Sequence, residues 1–153
     1  MSVIEPRGAG AVVKRVGLVA RRILVVEDDA DGLEALSMLL EAHGYEVSVS
    51  CTGNGVLPLA AIVRPDVVVM DLGLPDTDGI DLIRRVRAAE PATTIVAFSG
   101  SSENERAARA AGADWFVLKP DSDTLEHVLA CLRDQRSEAP AVPLGRGLTL
   151  AQR

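Results

Sequence analysis

The sequence predicts an α/β fold: one doubly wound, five-stranded parallel sheet with helices on both faces. Three observations carry that expectation. Short Val- and Ile-rich runs recur along the chain, and the inner ones are continuous rather than alternating, as strands covered on both faces should be. Stretches with apolar residues at helical spacing lie between them. Strand and helix alternate five times, the pattern of a parallel sheet with crossover helices.

Residues 1–20 are Gly- and Val-rich without a clean period and are read as a loose leader. ILVV (23–26) is the first strand. ADGLEALSMLLEAHG (30–44) places Leu33, Leu36 and Leu40 on one helical face, with Gly44 at the position just past a helix end. YEVSVS (45–50) alternates and suits an edge strand. A short helix begins near Pro58, which a first turn tolerates. DVVVM (66–70) is the next buried strand, and IDLIRRVRAAE (80–90) is a helix closed by Pro91. TTIVAF (93–98) is strand, ENERAARAAG (103–112) is an Ala-rich helix with little to bury, and WFVL (115–118) is the last strand. The final helix carries Leu125, Val128, Leu129 and Leu132 at i, i+3, i+4 and i+7, with Asp123 and Glu126 spaced as a capping box. Residues 137–153 are aperiodic and contain Pro and Gly. The domain is therefore expected over 21–136, followed by a flexible tail or the start of a linker.

At 153 residues and 48% apolar composition, the chain suits one domain with a real core. A net charge of −6 argues against sequence-independent binding to nucleic acid or anionic lipid. Of 16 basic residues only Lys14 and Lys119 are lysines, so each invites a reason. Cys51 and Cys131 fit no metal spacing, and a reduced setting is the simpler reading. No apolar run approaches the roughly 18 residues of a membrane span. The N-terminus, with Glu5, Lys14 and Arg15, makes a poor signal peptide. A cytoplasmic location is expected.

The strand ends carry the chemistry. The first strand runs into Glu27-Asp28-Asp29, the third into Asp71, the fourth into Ser99-Gly100 and the fifth into Lys119-Pro120. In a doubly wound sheet these carboxyl ends share one edge, where ligands bind. Acids, a hydroxyl and a lysine should therefore converge there. Clustered carboxylates repel, and a divalent cation relieves the repulsion. The donors are all oxygen, which favours Mg²⁺ or Mn²⁺ over Zn²⁺. A carboxylate can also attack a phosphoryl group, a reaction that needs mainly positioning and charge neutralisation. On this reading Asp71 is the nucleophile. The metal takes one phosphoryl oxygen, Lys119 a second, and the Ser99 hydroxyl with the backbone N–H beside it at Gly100 the third. Asp29 is read as the cap of the first helix, and Asp76 and Asp78 as turn or capping residues.

ILVVEDD, VVVMDLGLPDTDG, VAFSG and AGADWFVLKP, in that order and spacing, resemble the receiver domain of bacterial two-component response regulators over roughly 22–134. The resemblance implies the flavodoxin-like strand order 2-1-3-4-5. It makes Asp71 the phosphoacceptor, with Asp28 a direct Mg²⁺ ligand, Glu27 a ligand through water and the Gly73 carbonyl a further one. Ser99 matches the switch hydroxyl, Lys119 the phosphate-sensing lysine, and Phe116 the aromatic that rearranges. Lys119-Pro120 resembles the family's cis peptide. Asp121 stands where the family usually has an aromatic. Trp115 stands where many winged-helix-type regulators place a dimerisation acid, and Phe116 replaces the commoner Tyr.

The expected function is a switch. A histidine kinase or phosphotransfer protein supplies the phosphoryl group, and a protein target or an effector domain beyond this segment reads the result. Neither nucleic acid nor membrane is bound directly, and no turnover of an external substrate is expected. Two alternatives remain at this stage: a Mg²⁺-dependent aspartyl-phosphate phosphohydrolase, and a scaffold that keeps the fold without phosphorylation. Gly73, where the phosphohydrolase needs a second acid, weighs against the first. The complete set of polar strand ends weighs against the second.

Overall fold

The computed structural model describes residues 21–138, with side chains through Arg133; the expected leader, 1–20, and the tail from 139 lie outside the described residues. The elements run β1 (Arg22–Val26), α1 (Ala30–Ala42), β2 (Glu46–Ser50), α2 (Val56–Val63), β3 (Val67–Asp71), α3 (Gly79–Ala89), β4 (Thr94–Ser99), α4 (Glu105–Ala111), β5 (Trp115–Leu118) and α5 (Ser122–Glu138). One turn of 3₁₀ helix, Ser102–Asn104, leads into α4. The five strands form a parallel sheet in the order β2-β1-β3-β4-β5, as expected. The chain falls into two units, and the first, Arg21–Leu125, holds the sheet and α1 to α4. From Glu126 onward α5 belongs to the second.

Alternation along the strands divides the core of the first unit. Leu24 and Val26 of β1, Val68 and Met70 of β3, and Ile95 and Ala97 of β4 share one cluster with Val56 of α2, Leu82, Ile83 and Val86 of α3, and Ala108 of α4. The other parity, Ile23, Val25, Val67, Val69 and Val96, is equally buried. Helix α1 lies on β1 and β2 and buries Leu36 and Leu40, two of the three leucines read as its inner face; Leu33 is half-buried. Each fully buried Leu or Ile contributes roughly 1.5–3 kcal/mol, so the sheet's carboxyl edge rests on a firm base.

The helix ends follow local chemistry. The Asp29 carboxylate accepts the Gly32 N–H at 2.8 Å and caps α1. The Asp78 carboxylate does the same for α3, accepting from Ile80 at 2.9 Å. Gly44 adopts φ +91°, the conformation expected just past α1. Pro58 falls in the first turn of α2, as its missing N–H allows. The cap of α5 differs from expectation. Asp121, not Asp123, accepts the Thr124 N–H, at 3.0 Å, so the helix begins earlier than the Asp123–Glu126 box implied. The apolar stripe of α5 is as expected: Leu125, Val128, Leu129 and Leu132 are all buried. Helix α5 runs to Glu138. Among the described residues, no helix is long and apolar enough to cross a membrane.

Candidate functional site

Asp71 is the last residue of β3, and Glu27 directly follows β1. Strands β1 and β3 are neighbours in register, Val26 beside Met70, so both acids leave the sheet at the same edge. Each is only 5 % exposed, a degree of enclosure that obliges a carboxylate to find partners. Glu27 accepts the Asp29 N–H at 3.1 Å. Asp71 accepts the Gly73 N–H at 3.0 Å. Asp28, on the exposed rim, completes a group of three whose carboxylate oxygens lie within 4.8 Å of one another. Among the described residues it is the one such cluster of three metal-capable side chains.

Lys119 joins it from β5. The register sets Ser99 beside Leu118, and the Lys119 N–H donates to the Ser99 carbonyl at 2.7 Å, extending the ladder by one rung. The Lys119 side chain then reaches across the sheet edge. Its ammonium lies 2.9 Å from Glu27 Oε1 and 3.2 Å from Asp71 Oδ1. Its Nζ is also 5.5 Å from the centre of the Phe98 ring, within cation–π range. The Lys119-Pro120 peptide is cis, as the resemblance implied.

Three carboxylates thus face one ammonium. Two unit charges at such separations repel by roughly 1–4 kcal/mol at effective dielectrics between water and a protein surface. Burial pushes the Glu27 carboxyl above its ordinary pKa, the Asp71 charge adds to that, and the bonds from Lys119 and Asp29 only partly offset it. For Lys119, burial alone would lower the pKa. The bond to Glu27 and the charge of Asp71 outweigh it, and the ammonium is held above its ordinary value. The excess of negative, hard-oxygen donors fits a divalent cation of the Mg²⁺ type.

Ser99 comes from β4, the strand between β3 and β5. It is buried at the end of β4, yet its hydroxyl is held in its own loop rather than among the carboxylates. It donates to the Ser101 carbonyl at 3.2 Å and accepts from the Ser101 N–H at 3.1 Å and the Asn104 side-chain amide at 3.0 Å. Gly100 is exposed with open space around it. Phe116 is half-buried against the core cluster. So Glu27, Asp28, Asp71 and Lys119 come together, and Ser99 remains engaged with the following turn. Asn104 was not legible as a site residue, because no motif marks it and only the 3₁₀ turn brings it to Ser99.

The comparisons with known proteins agree with this geometry. A family model, the response regulator receiver domain, matches residues 23–130, and the chain belongs to that family of two-component signalling domains. Among its relatives is the transcriptional regulatory protein KdpE of Mycobacterium tuberculosis, 40% identical over 112 residues, covering 72% of this chain and 49% of that protein. The chain thus spans about half the length of the curated relatives it matches. A CheY-like receiver domain protein from Methanospirillum hungatei has a similar structure, with TM-score 0.67 and 32% identity over 78% of this chain and 99% of its own. The response regulator TrrA of Thermotoga maritima, solved with Mg²⁺ and beryllofluoride, gives TM-score 0.69 at 26% identity, covering 73% of this chain and 98% of its own.

Proposed function

We propose that this receiver is a phosphorylation switch in which Asp71 accepts a phosphoryl group from a histidine kinase or phosphotransfer protein. The observation that carries the reading is the enclosed Asp71 carboxylate, 3.2 Å from the Lys119 ammonium and grouped with Glu27 and Asp28 at the sheet's carboxyl edge. An Asp71 carboxylate oxygen attacks the phosphorus. The bond from phosphorus to the donor imidazole nitrogen breaks, and an acyl phosphate forms. The displaced nitrogen keeps the bonding pair. Lys119 neutralises charge on the transferring group as a compact cation, and Gly73 N–H holds Asp71 in orientation.

Glu27, Asp28, Asp71 and the Gly73 carbonyl are the groups that would hold Mg²⁺, whose contribution is to neutralise charge on the phosphoryl oxygens. The added charge, roughly −1.5 to −2, draws the Ser99 hydroxyl inward, and Phe116 and the surface around α4 respond. Output passes to a protein target or to an effector segment outside this sequence; the full-length relatives are transcriptional regulators.

The test is intact-mass spectrometry after incubation with Mg²⁺ and acetyl phosphate, beside Asp71→Asn. A single Mg²⁺-dependent phosphoryl adduct is expected in the wild type and none in the variant. An adduct that survives in Asp71→Asn would move the acceptor elsewhere. Absence of both a phosphoryl adduct and a beryllofluoride complex would favour a phosphorylation-independent scaffold.

A further inference from the structure

The Ser99 hydroxyl has all its hydrogen-bonding capacity used before any phosphoryl group arrives. It donates to the Ser101 carbonyl and accepts from two donors, the Ser101 N–H and the Asn104 amide. The Ser101 bonds belong to the local turn, and any residue at 101 other than proline could supply the same backbone groups. The Asn104 bond comes from a side chain, and it ties the end of β4 to the residue preceding α4.

Asn104 closes the 3₁₀ turn that leads into α4, and that helical start is capped by Ser101, whose hydroxyl accepts the Glu103 N–H at 3.2 Å. The Asn104 side chain makes no capping bond and reaches back to Ser99 at 3.0 Å. The helical start therefore keeps its cap at Ser101, while Asn104 restrains the switch hydroxyl.

We infer that Asn104 is a latch: a positioning residue that holds the Ser99 hydroxyl in the β4–α4 turn and opposes its movement toward a phosphoryl group on Asp71. The inference rests on the reading of Asp71 as phosphoacceptor and adds to it a residue that sets the switching equilibrium. Switching thus breaks the Asn104 bond and releases the end of β4 from the residue preceding α4. The bond exists only in the unswitched state, so removing it destabilises that state alone. One net hydrogen bond corresponds to a shift of about two- to tenfold.

The experiment is titration of the whole chain with beryllofluoride in saturating Mg²⁺, for wild type, Asn104→Ala and Asn104→Ser. Serine keeps a polar side chain at this position but is too short to reach Ser99, so it separates the latch from a general loss of polarity there. Each substitution is also made on a Ser99→Ala background, with folding checked by circular dichroism. Both Asn104 variants are expected to bind beryllofluoride about two- to tenfold more tightly than wild type, with no such gain when Ser99 is absent. Unchanged or weaker binding in both variants, or the same gain on the Ser99→Ala background, would overturn the latch and leave the phosphoacceptor reading standing. If the wild type itself forms no beryllofluoride complex, the phosphoacceptor reading falls and the latch falls with it.

Discussion

Asp76 lies shortly after Asp71 and is exposed, yet it ties two loops together. Its carboxylate accepts the Gly53 and Asn54 N–H groups, each at 2.9 Å, and the Thr77 hydroxyl at 3.2 Å. Gly53 is required at this junction, because a Cβ there would meet Thr77 Oγ1 at 2.6 Å. These backbone bonds hold the Asp76 carboxyl below its ordinary pKa. A carboxyl lowered on folding contributes stability above its unfolded value near 3.8 and loses it as pH falls through the folded value. Urea midpoints measured from pH 6 downward should therefore fall less steeply below about pH 4 in Asp76→Asn than in wild type. Parallel acid limbs would show that Asp76 does not anchor the loop. The sequence marked Asp29, Asp76 and Asp78 alike as turn or cap residues. For Asp29 and Asp78 that was sufficient, because a cap bonds to its own helix. The partners of Asp76 sit in another loop, and no local pattern names them.

Helices α3 and α4 occupy the same side of the sheet but bury different amounts. Helix α3 encloses Leu82, Ile83 and Val86, while α4 encloses only the methyl groups of Ala108 and Ala111. At about 0.8 kcal/mol per buried methylene-sized group, α4 is held far more weakly. Its backbone amides should exchange with solvent ahead of those of α3 in hydrogen-exchange mass spectrometry, and phosphorylation should change α4 more than α3. Equal protection of the two helices would remove α4 as the mobile element. The Ala-rich composition made this contrast readable in advance. The start of α5 was not readable to the residue, since Asp121 and Asp123 are both good caps and only the turn after the cis Lys119-Pro120 peptide decides between them. The strands were legible to within a residue. Runs such as Val67–Met70 have no amphipathic alternative, and burial on both faces is the one environment that suits them.

At the scale of the whole domain, folding gathers Glu27, Asp28 and Asp71 against a single lysine, so the folded chain should gain stability from a divalent cation. At a tenfold excess over its dissociation constant, a ligand that binds only the folded state adds about 1.4 kcal/mol. In a domain of this size that raises the melting temperature by about 4 °C. Thermal melts with and without Mg²⁺ should show that rise in wild type and lose most of it in Asp28→Asn. An undiminished rise in the variant would place the ion outside this cluster. The convergence of these acids with Lys119 was legible because parallel strands share one carboxyl edge. The orientation of the Ser99 hydroxyl was not, because it is set by a side chain in a turn.

The bond between Lys119 and Glu27 closes a span of 92 positions. During synthesis the acids of β1 and β3 emerge first, and their counter-charge arrives only when β5 has been made and has taken its place beside β4. A chain that stops before residue 119 lacks that lysine. The last strand thus completes the centre, and a copy that stops short of it leaves Glu27 and Asp71 without the ammonium that lies against both.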